Sequence, residues 1–288
     1  MTKIGRHLIF FIQVFVMLVS VPAFADSESV TSEHYTEQFE IIMKNESLWS
    51  TKDDPEQHWY TVTDLDPNGF STSVDGIMEY SVNGEVVSHK GIDVSSYQGV
   101  INWPMVAADG VEFAIIRVTL RGYGTGRLVE DETFDYNFQG AAAAGIHPGA
   151  YVFSQAITEE EVIEEAQSAI DKLAPYGTGY PIIIDVERIS GGDGRMDDLT
   201  PSERTDMILK FCEVVSGAGY KPYIYYNTEM SILYVDIARL ENIPKWYASY
   251  SSDFFYPYDI DILQYSATGR VAGITGDVDM DICFKPFW

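Results

Sequence analysis

At 288 residues and 46% hydrophobic content the chain can bury one large core, and a single α/β barrel of roughly 200–250 residues fits that length. Its 18 basic and 44 acidic residues leave a formal charge of −26, a surface that repels polyphosphate backbones and anionic membranes and so argues against nucleic acid as a partner.

The first residues have the form of an export signal. Lys3 and Arg6 give a basic start, Leu8 to Val19 an apolar run interrupted by Gln13, and Ala23-Phe24-Ala25 a small-x-small cleavage site. The run is short for a spanning helix, and no cysteine follows it to take a lipid. Cleavage after Ala25 is expected, giving a secreted, extracellular or cell-wall associated protein with no membrane span and a charge of −28. Residues 26–89 are polar and acidic with scattered aromatics, a leader or linker. It ends in a small hairpin, Ile77 to Val82 and Glu85 to Val87 around the Asn83-Gly84 turn.

From residue 90 to 288 short apolar runs alternate with helical patterns, the mark of parallel strands joined by crossovers. The expected strands are Gly91 to Val94, Phe113 to Val118, Gly149 to Phe153, Pro181 to Val186, Pro222 to Tyr226, Lys245 to Ala248, Asp261 to Tyr265 and Val278 to Phe284. Helices are expected from Asp135 to Ala144, after a Thr158/Glu161 capping box, and after Thr200-Pro201 with Glu203. Beyond the fifth strand the gaps shorten and become turn-rich, at Ser251 to Asp253 and Ala267 to Gly276. The sequence therefore predicts five β/α units and about three strands with weak or antiparallel connections, an irregular TIM-like barrel. Cys212 shares a helical face with Ile208, Phe211 and Val215, as a buried small hydrophobe would. A bridge to Cys283 is the alternative open to an exported protein.

In a parallel barrel chemistry gathers at the C-terminal ends of the strands. Those ends carry Asp93, Arg117, Ser154 and Gln155, Asp185 and Glu187, Tyr226 and Asn227, Trp246 and Tyr247, Gln264 and Tyr265, then Asp279 and Asp281. Acids and aromatics dominate, as a carbohydrate site requires: ring faces stack on sugar C–H faces and carboxylates accept from hydroxyls. Of five histidines only His147 falls in the barrel, before its strand, so triad and His-rich zinc chemistry lack a central residue. Gly122 to Gly126 has no Gly-Lys-Ser/Thr after it. Asp277 to Asp281 imitates a calcium loop but has Ile282 at the turn-glycine position and Trp288 at the bidentate-Glu position. Carboxylate chemistry without metal or cofactor remains.

Lys90-Gly-Ile-Asp-Val-Ser-Ser-Tyr-Gln-Gly99, Phe113-Ala-Ile-Ile-Arg117, Ala144-Gly-Ile-His-Pro-Gly-Ala-Tyr-Val-Phe153, Ile184-Asp-Val-Glu187 and Gln264-Tyr-Ser266 through Gly276-Asp-Val-Asp279 resemble, in unbroken order, glycoside hydrolase family 25, the Chalaropsis-type lysozymes. The resemblance implies a (β/α)5(β)3 barrel. It also implies metal-free, retaining hydrolysis of the β-1,4 bond from N-acetylmuramic acid to N-acetylglucosamine in peptidoglycan glycan strands. Carried over by motif, Glu187 matches the general acid and Asp185 an ionised neighbour that stabilises positive charge on the sugar. Asp93 and Asp279 match two further acids of the groove. The attacking group is left open between the substrate's 2-acetamido oxygen and an Asp. Tyr151, Tyr226, Trp246, Gln264 and Tyr265 are the expected substrate-binding residues, and a monomer is the default.

Two positions depart from the family pattern. Asp281 stands where Asn is usual, adding a charge near Asp279, and Leu263 precedes Gln264 where Trp is common, weakening a wall of core or groove. These departures sustain the alternative of a wall-glycan binding protein without turnover. No repeat module follows the barrel, so targeting is expected from the groove or leader, with salt-sensitive activity on intact wall.

Overall fold

The computed structural model describes residues 63–189, 192, 194–250, 256 and 258–288. The export signal, most of the leader and the Ser251 to Asp253 turn lie outside the described residues, as do Gly191 and Asp193 of the glycine-rich loop after the fourth barrel strand. Two short strands open the described chain, β1 (Phe70–Thr72) and β2 (Met78–Val82), and β3 (Glu85–Val86) follows. They form an antiparallel sheet in the order β1-β2-β3. The β2–β3 hairpin is the expected one, with Asn83 at a positive φ of 54° beside Gly84, as a tight turn demands. β1 was not legible: three half-exposed or exposed residues carry no pattern. The sheet leans on the barrel through Phe70, Tyr80 and Phe284, whose rings lie 4.8–5.9 Å apart.

The barrel comprises β4 (His89–Val94), β5 (Phe113–Arg121), β7 (His147–Phe153), β8 (Pro181–Asp185), β9 (Lys221–Asn227), β10 (Lys245–Ala248), β11 (Ile262–Gly269) and β12 (Val278–Cys283). Neighbours pair in that order, and β12 closes the ring on β4. β6 (Leu128–Glu130) is a short antiparallel flap on β5, too brief to leave a sequence signal. From β4 to β11 each barrel strand runs parallel to the next barrel strand, and β12 runs antiparallel to both β11 and β4. The weak connections expected after the fifth strand are found, since no α-helix among the described residues follows β9, while the antiparallel pairing is confined to the last strand. Helices α1 (Trp103–Ala108), α2 (Phe134–Ala143), α3 (Glu159–Leu173) and α4 (Pro201–Gly217) cover the first half. A single turn at Met230–Tyr234 and another at Ile237–Leu240 take their place between β9 and β10.

The α4 capping box forms as expected, Thr200 and Glu203 each satisfying the other's backbone N–H. At α3 only half forms. Thr158 accepts from Glu161 N, but the Glu161 side chain accepts from Ile157 N and pairs with Arg195 instead. Period-two alternation divides the apolar residues between two faces. Ile92, Ile116, Val152, Ile184, Ile224, Tyr247 and Leu263 face the helices, while Phe113, Ile115, Ile183, Tyr223, Trp246 and Ile262 fill the interior. Cys212 belongs to the outer core and Cys283 to the interior, so the barrel wall separates them and both thiols are free. At the N-terminal end of the strands Trp288 stacks on His147 at 4.6 Å, and Phe287 packs edge-on against Phe113. Gly91 makes room there, since a Cβ at that position would meet the Phe113 ring at 2.1 Å. That end is plugged, which leaves the C-terminal end for chemistry.

Candidate active site

Because β12 runs against the other strands, its first residues arrive at the mouth where the other strands end. Asp279 is opposite Asp93 in the β12–β4 ladder, and Asp281, two residues deeper on the same face, is opposite Gly91. Asp185 ends β8, and Glu187 follows two residues later. The backbone of this stretch is held by Val186 N–H donating to Tyr225 O and by Gln155 Nε2 donating to Glu187 O. Arg188 next to it pairs with Glu229 at 3.2 Å. Asp93, Asp185, Glu187, Asp279 and Asp281 thus gather at this end of the barrel, close enough to act on one another's charge.

Burial is the dominant force on this cluster. It raises the Glu187 carboxyl to about 7, with Asp279 adding to the shift, and raises Asp279 to about 6, with Asp277 adding. Asp93 is pushed well above the usual carboxylate range by burial and then by Asp279, Asp281 and Asp185. Asp185 is pushed up by burial and by Glu187, with partial relief from Arg117. Asp185 was expected to stay ionised beside Glu187; burial and Glu187 oppose that charge, and Arg117 favours it. Its Oδ1 is buried and receives no hydrogen bond from the described residues.

Among the aromatic and amide residues, Tyr151 and Trp246 turn inward, their rings 5.9 Å apart edge to face. Gln264 also turns inward, donating from Nε2 to Asp93 Oδ2 at 2.6 Å. Two groups missed by sequence reasoning orient it: the hydroxyls of Tyr225 and Tyr250 donate to Gln264 Oε1 at 2.9 and 2.8 Å. Tyr226 and Tyr265 are corrections. Both face outward into the outer core, Tyr226 against Tyr247 and Tyr256, Tyr265 beside Met78 of the hairpin sheet. Period two decides it, since residues adjacent to the inward Tyr225 and Gln264 must point away. Trp246 is only 1% exposed and donates its indole N–H to Asp281 Oδ1 at 2.8 Å, so it supports the acids from below. Leu263 likewise faces the outer core and forms no wall around the acids. Asp281 is not solvated but fully buried. Arg117 pairs with Asp131, at 2.9 Å, and with Ser96 rather than with the clustered acids.

An acid cluster of this kind, with several acids of raised proton affinity and two orphaned acceptors, Asp185 Oδ1 and Asp281 Oδ2, is equipped to deliver a proton and to stabilise a developing cation. The family model of glycosyl hydrolases family 25 matches residues 92–274, most of the chain. Lysozyme M1 of Streptomyces globisporus is 29% identical over 204 residues, covering 66% of this chain and 66% of that protein. The autolytic lysozyme of Clostridium acetobutylicum is 28% identical over 198 residues, 67% of this chain and 55% of its own. This chain therefore spans a little over half to two thirds of the curated relatives it matches. Among solved structures, the bacterial lysozyme of Streptomyces coelicolor superposes with a TM-score of 0.52 at 27% identity, over 67% of this chain and 90% of that one. The modular autolysin LytC of Streptococcus pneumoniae, solved with a synthetic peptidoglycan ligand, superposes with a TM-score of 0.61 at 24% identity, over 74% and 52% of the two chains.

Proposed function

The chain belongs to glycosyl hydrolases family 25, and from that premise we propose that it is a secreted lysozyme that hydrolyses the β-1,4 bond between N-acetylmuramic acid and N-acetylglucosamine in peptidoglycan, with retention. The observation that carries the reading is Glu187, a mouth carboxyl whose proton affinity is raised to about 7 within a ring of further acids. An acid of that strength still holds its proton near neutrality and can give it to the leaving glycosidic oxygen. Similarity to lysozymes at 27–29% identity supports the substrate class.

Asp185 takes the second role. Its orphaned Oδ1 is an acceptor waiting for a donor, and the N–H of the substrate's 2-acetamido group supplies one. Held this way, the acetamido oxygen attacks the anomeric carbon and water later opens the ring so formed, with Glu187 as base; two inversions give retention. As positive charge grows on the sugar, the ionised form of Asp185 is favoured. Asp93 and Asp279 line the groove on the opposite side. Tyr151, facing Asp93 and Asp185, offers a ring for the sugar to rest on.

Purified cell wall is the substrate for the test. Wild-type protein should clear its turbidity and release reducing sugar, and Glu187→Gln should do neither. Full activity in Glu187→Gln would overturn the assignment.

A further inference from the structure

Strand β8 ends at Asp185, and the segment beyond it that carries Glu187 has few bonds of its own. Val186 N–H donates to Tyr225 O, and Glu187 O accepts from Gln155 Nε2 at a long 3.4 Å. The Glu187 carboxyl receives no hydrogen bond from the described residues. The acids that act on it, Asp185 on its own strand and Asp279 on β12, repel it when ionised. Tyr225 on β9 and Tyr250 after β10 bring no positive charge. Gly192 and Gly194 follow downstream, a residue type that restrains a backbone least.

Arg188 supplies what is missing, from the other side of the wall. Alternation along this stretch sends Ile184 and Val186 into the outer core, so Arg188 leaves outward where Glu187 turns inward. Its guanidinium is gripped there by groups from two other segments. Nη1 donates to Glu229 Oε1 at 3.2 Å, just after β9, and the group lies 4.9 Å from the centre of the Tyr234 ring. Nε stands 3.6 Å from Asp197 Oδ1 in the turn at Arg195–Asp198. Both of these atoms are buried and neither has a hydrogen bond from the described residues, so each is left to the other. The anchor is itself fixed: Arg204, 1% exposed, donates to Tyr234 O at 2.7 Å and to Met196 O. Two arginines and two acids balance in charge outside, while acids alone gather inside.

We propose that Arg188, anchored outside the barrel by Glu229, Asp197 and Tyr234, is a positioning residue that holds the neighbouring Glu187 carboxyl among the acids at the mouth. The planar fork and its ring contact fix the backbone one residue beyond Glu187, as a flexible ammonium would not. Without that anchor the repulsion of Asp185 and Asp279 drives Glu187 toward water. The consequence for turnover rests on the lysozyme reading; the placement of Glu187 does not.

Arg188→Met keeps a long stem over Tyr234 and removes the fork. Should the stranded Glu229 prevent folding, Arg188→Met with Glu229→Gln removes both partners together. The first readout is the titration of Glu187 by carbon-13 NMR of its carboxyl, identified by its absence from Glu187→Gln. It should lie near 7 in the wild type and fall by about a unit or more, toward the ordinary glutamate value of about 4.3, in whichever of these variants folds. On peptidoglycan the same variant should lose about tenfold or more in kcat with KM nearly constant, and the alkaline limb of its pH profile should move down with the titration. Arg188→Lys, which can still pair with Glu229, should stay within about threefold of the wild type. A variant that merely folds less well would lose rate equally at every pH, with the limb in place. That result, or a Glu187 titration unmoved without the fork, would overturn the inference. The NMR titration needs no substrate, so it decides the placement of Glu187 even if the wild type fails to cleave peptidoglycan and the lysozyme reading falls.

Discussion

Two sets of buried acids lie on opposite sides of the barrel wall, and they differ in one respect. Outside, Glu165 on α3 is fully buried, yet Arg121 Nε donates to its Oε1 at 2.7 Å and Ser154 Oγ to its Oε2 at 2.6 Å. Arg121 in turn donates to Gly126 O, Glu161 O and Glu164. Inside, Asp185 and Asp281 each keep a buried oxygen without a donor. Glu165 and Glu187 are both raised to about 7, each chiefly by burial. A shifted pKa therefore does not distinguish a structural acid from a working one. Glu165 and Asp185 do differ in the completeness of their hydrogen bonding, and an unsatisfied buried oxygen such as Asp185 Oδ1 costs about 1–3 kcal/mol.

The comparison breaks first at Glu187. Glu187→Gln removes the proposed proton donor and should lower kcat on cell wall by about 10²–10⁴, with the unfolding midpoint at pH 7 unchanged or raised. A loss of stability with retained turnover would reverse the roles assigned to the two sets. Arg121→Met should do the opposite. It strands Glu165 in the wall and should cost about 3–5 kcal/mol in urea unfolding, while the folded fraction keeps its turnover.

The inner set also shapes stability against pH. Glu187 and Asp279 have folded pKa values, about 7 and about 6, above their unfolded ones of about 4, so the folded state binds protons more tightly. Their contribution is whole below about pH 4 and is lost as pH rises through about 6 and 7. Glu165 adds to the same trend. Urea midpoints should fall from pH 5 to pH 8, and less steeply in Glu187→Gln; a rise over that range would contradict the burial described. The smallest effect is expected from Trp246→Phe. It leaves Asp281 Oδ1 without its donor, and denaturant titration should register about 1–3 kcal/mol.

Much of this was legible in the sequence for simple reasons. The eight barrel strands are apolar runs separated by glycine, proline or capped helices, and the Asp185-x-Glu187 spacing declares itself at the end of one of them. The side of the wall on which Tyr226 and Tyr265 lie was harder. Along β9 aromatics occupy both parities, Tyr223 and Tyr225 inside, Tyr226 outside, so alternation alone gives no direction. At β11 a signal did exist: once Gln264 faces the acids, Tyr265 must face away. The fate of Asp281 could not be read at all. Its sequence position suggests an extra charge, whereas its neighbours Trp246 and Asp93, 35 and 188 residues away in the chain, bury it against a second acid. Glu161 shows the same limit on a local motif, its capping role displaced by Arg195 from a distant turn.

The most direct measurement of the central claim is mass spectrometry of the products from defined peptidoglycan, digested by wild type and by Glu187→Gln across pH 5 to 8. Fragments with N-acetylmuramic acid at the reducing end are expected from the wild type, with their rate of release falling as pH rises through about 7. None is expected from Glu187→Gln. Reducing-end N-acetylglucosamine, or the same fragments from the Gln variant, would contradict the assignment of Glu187 as the proton donor of a muramidase.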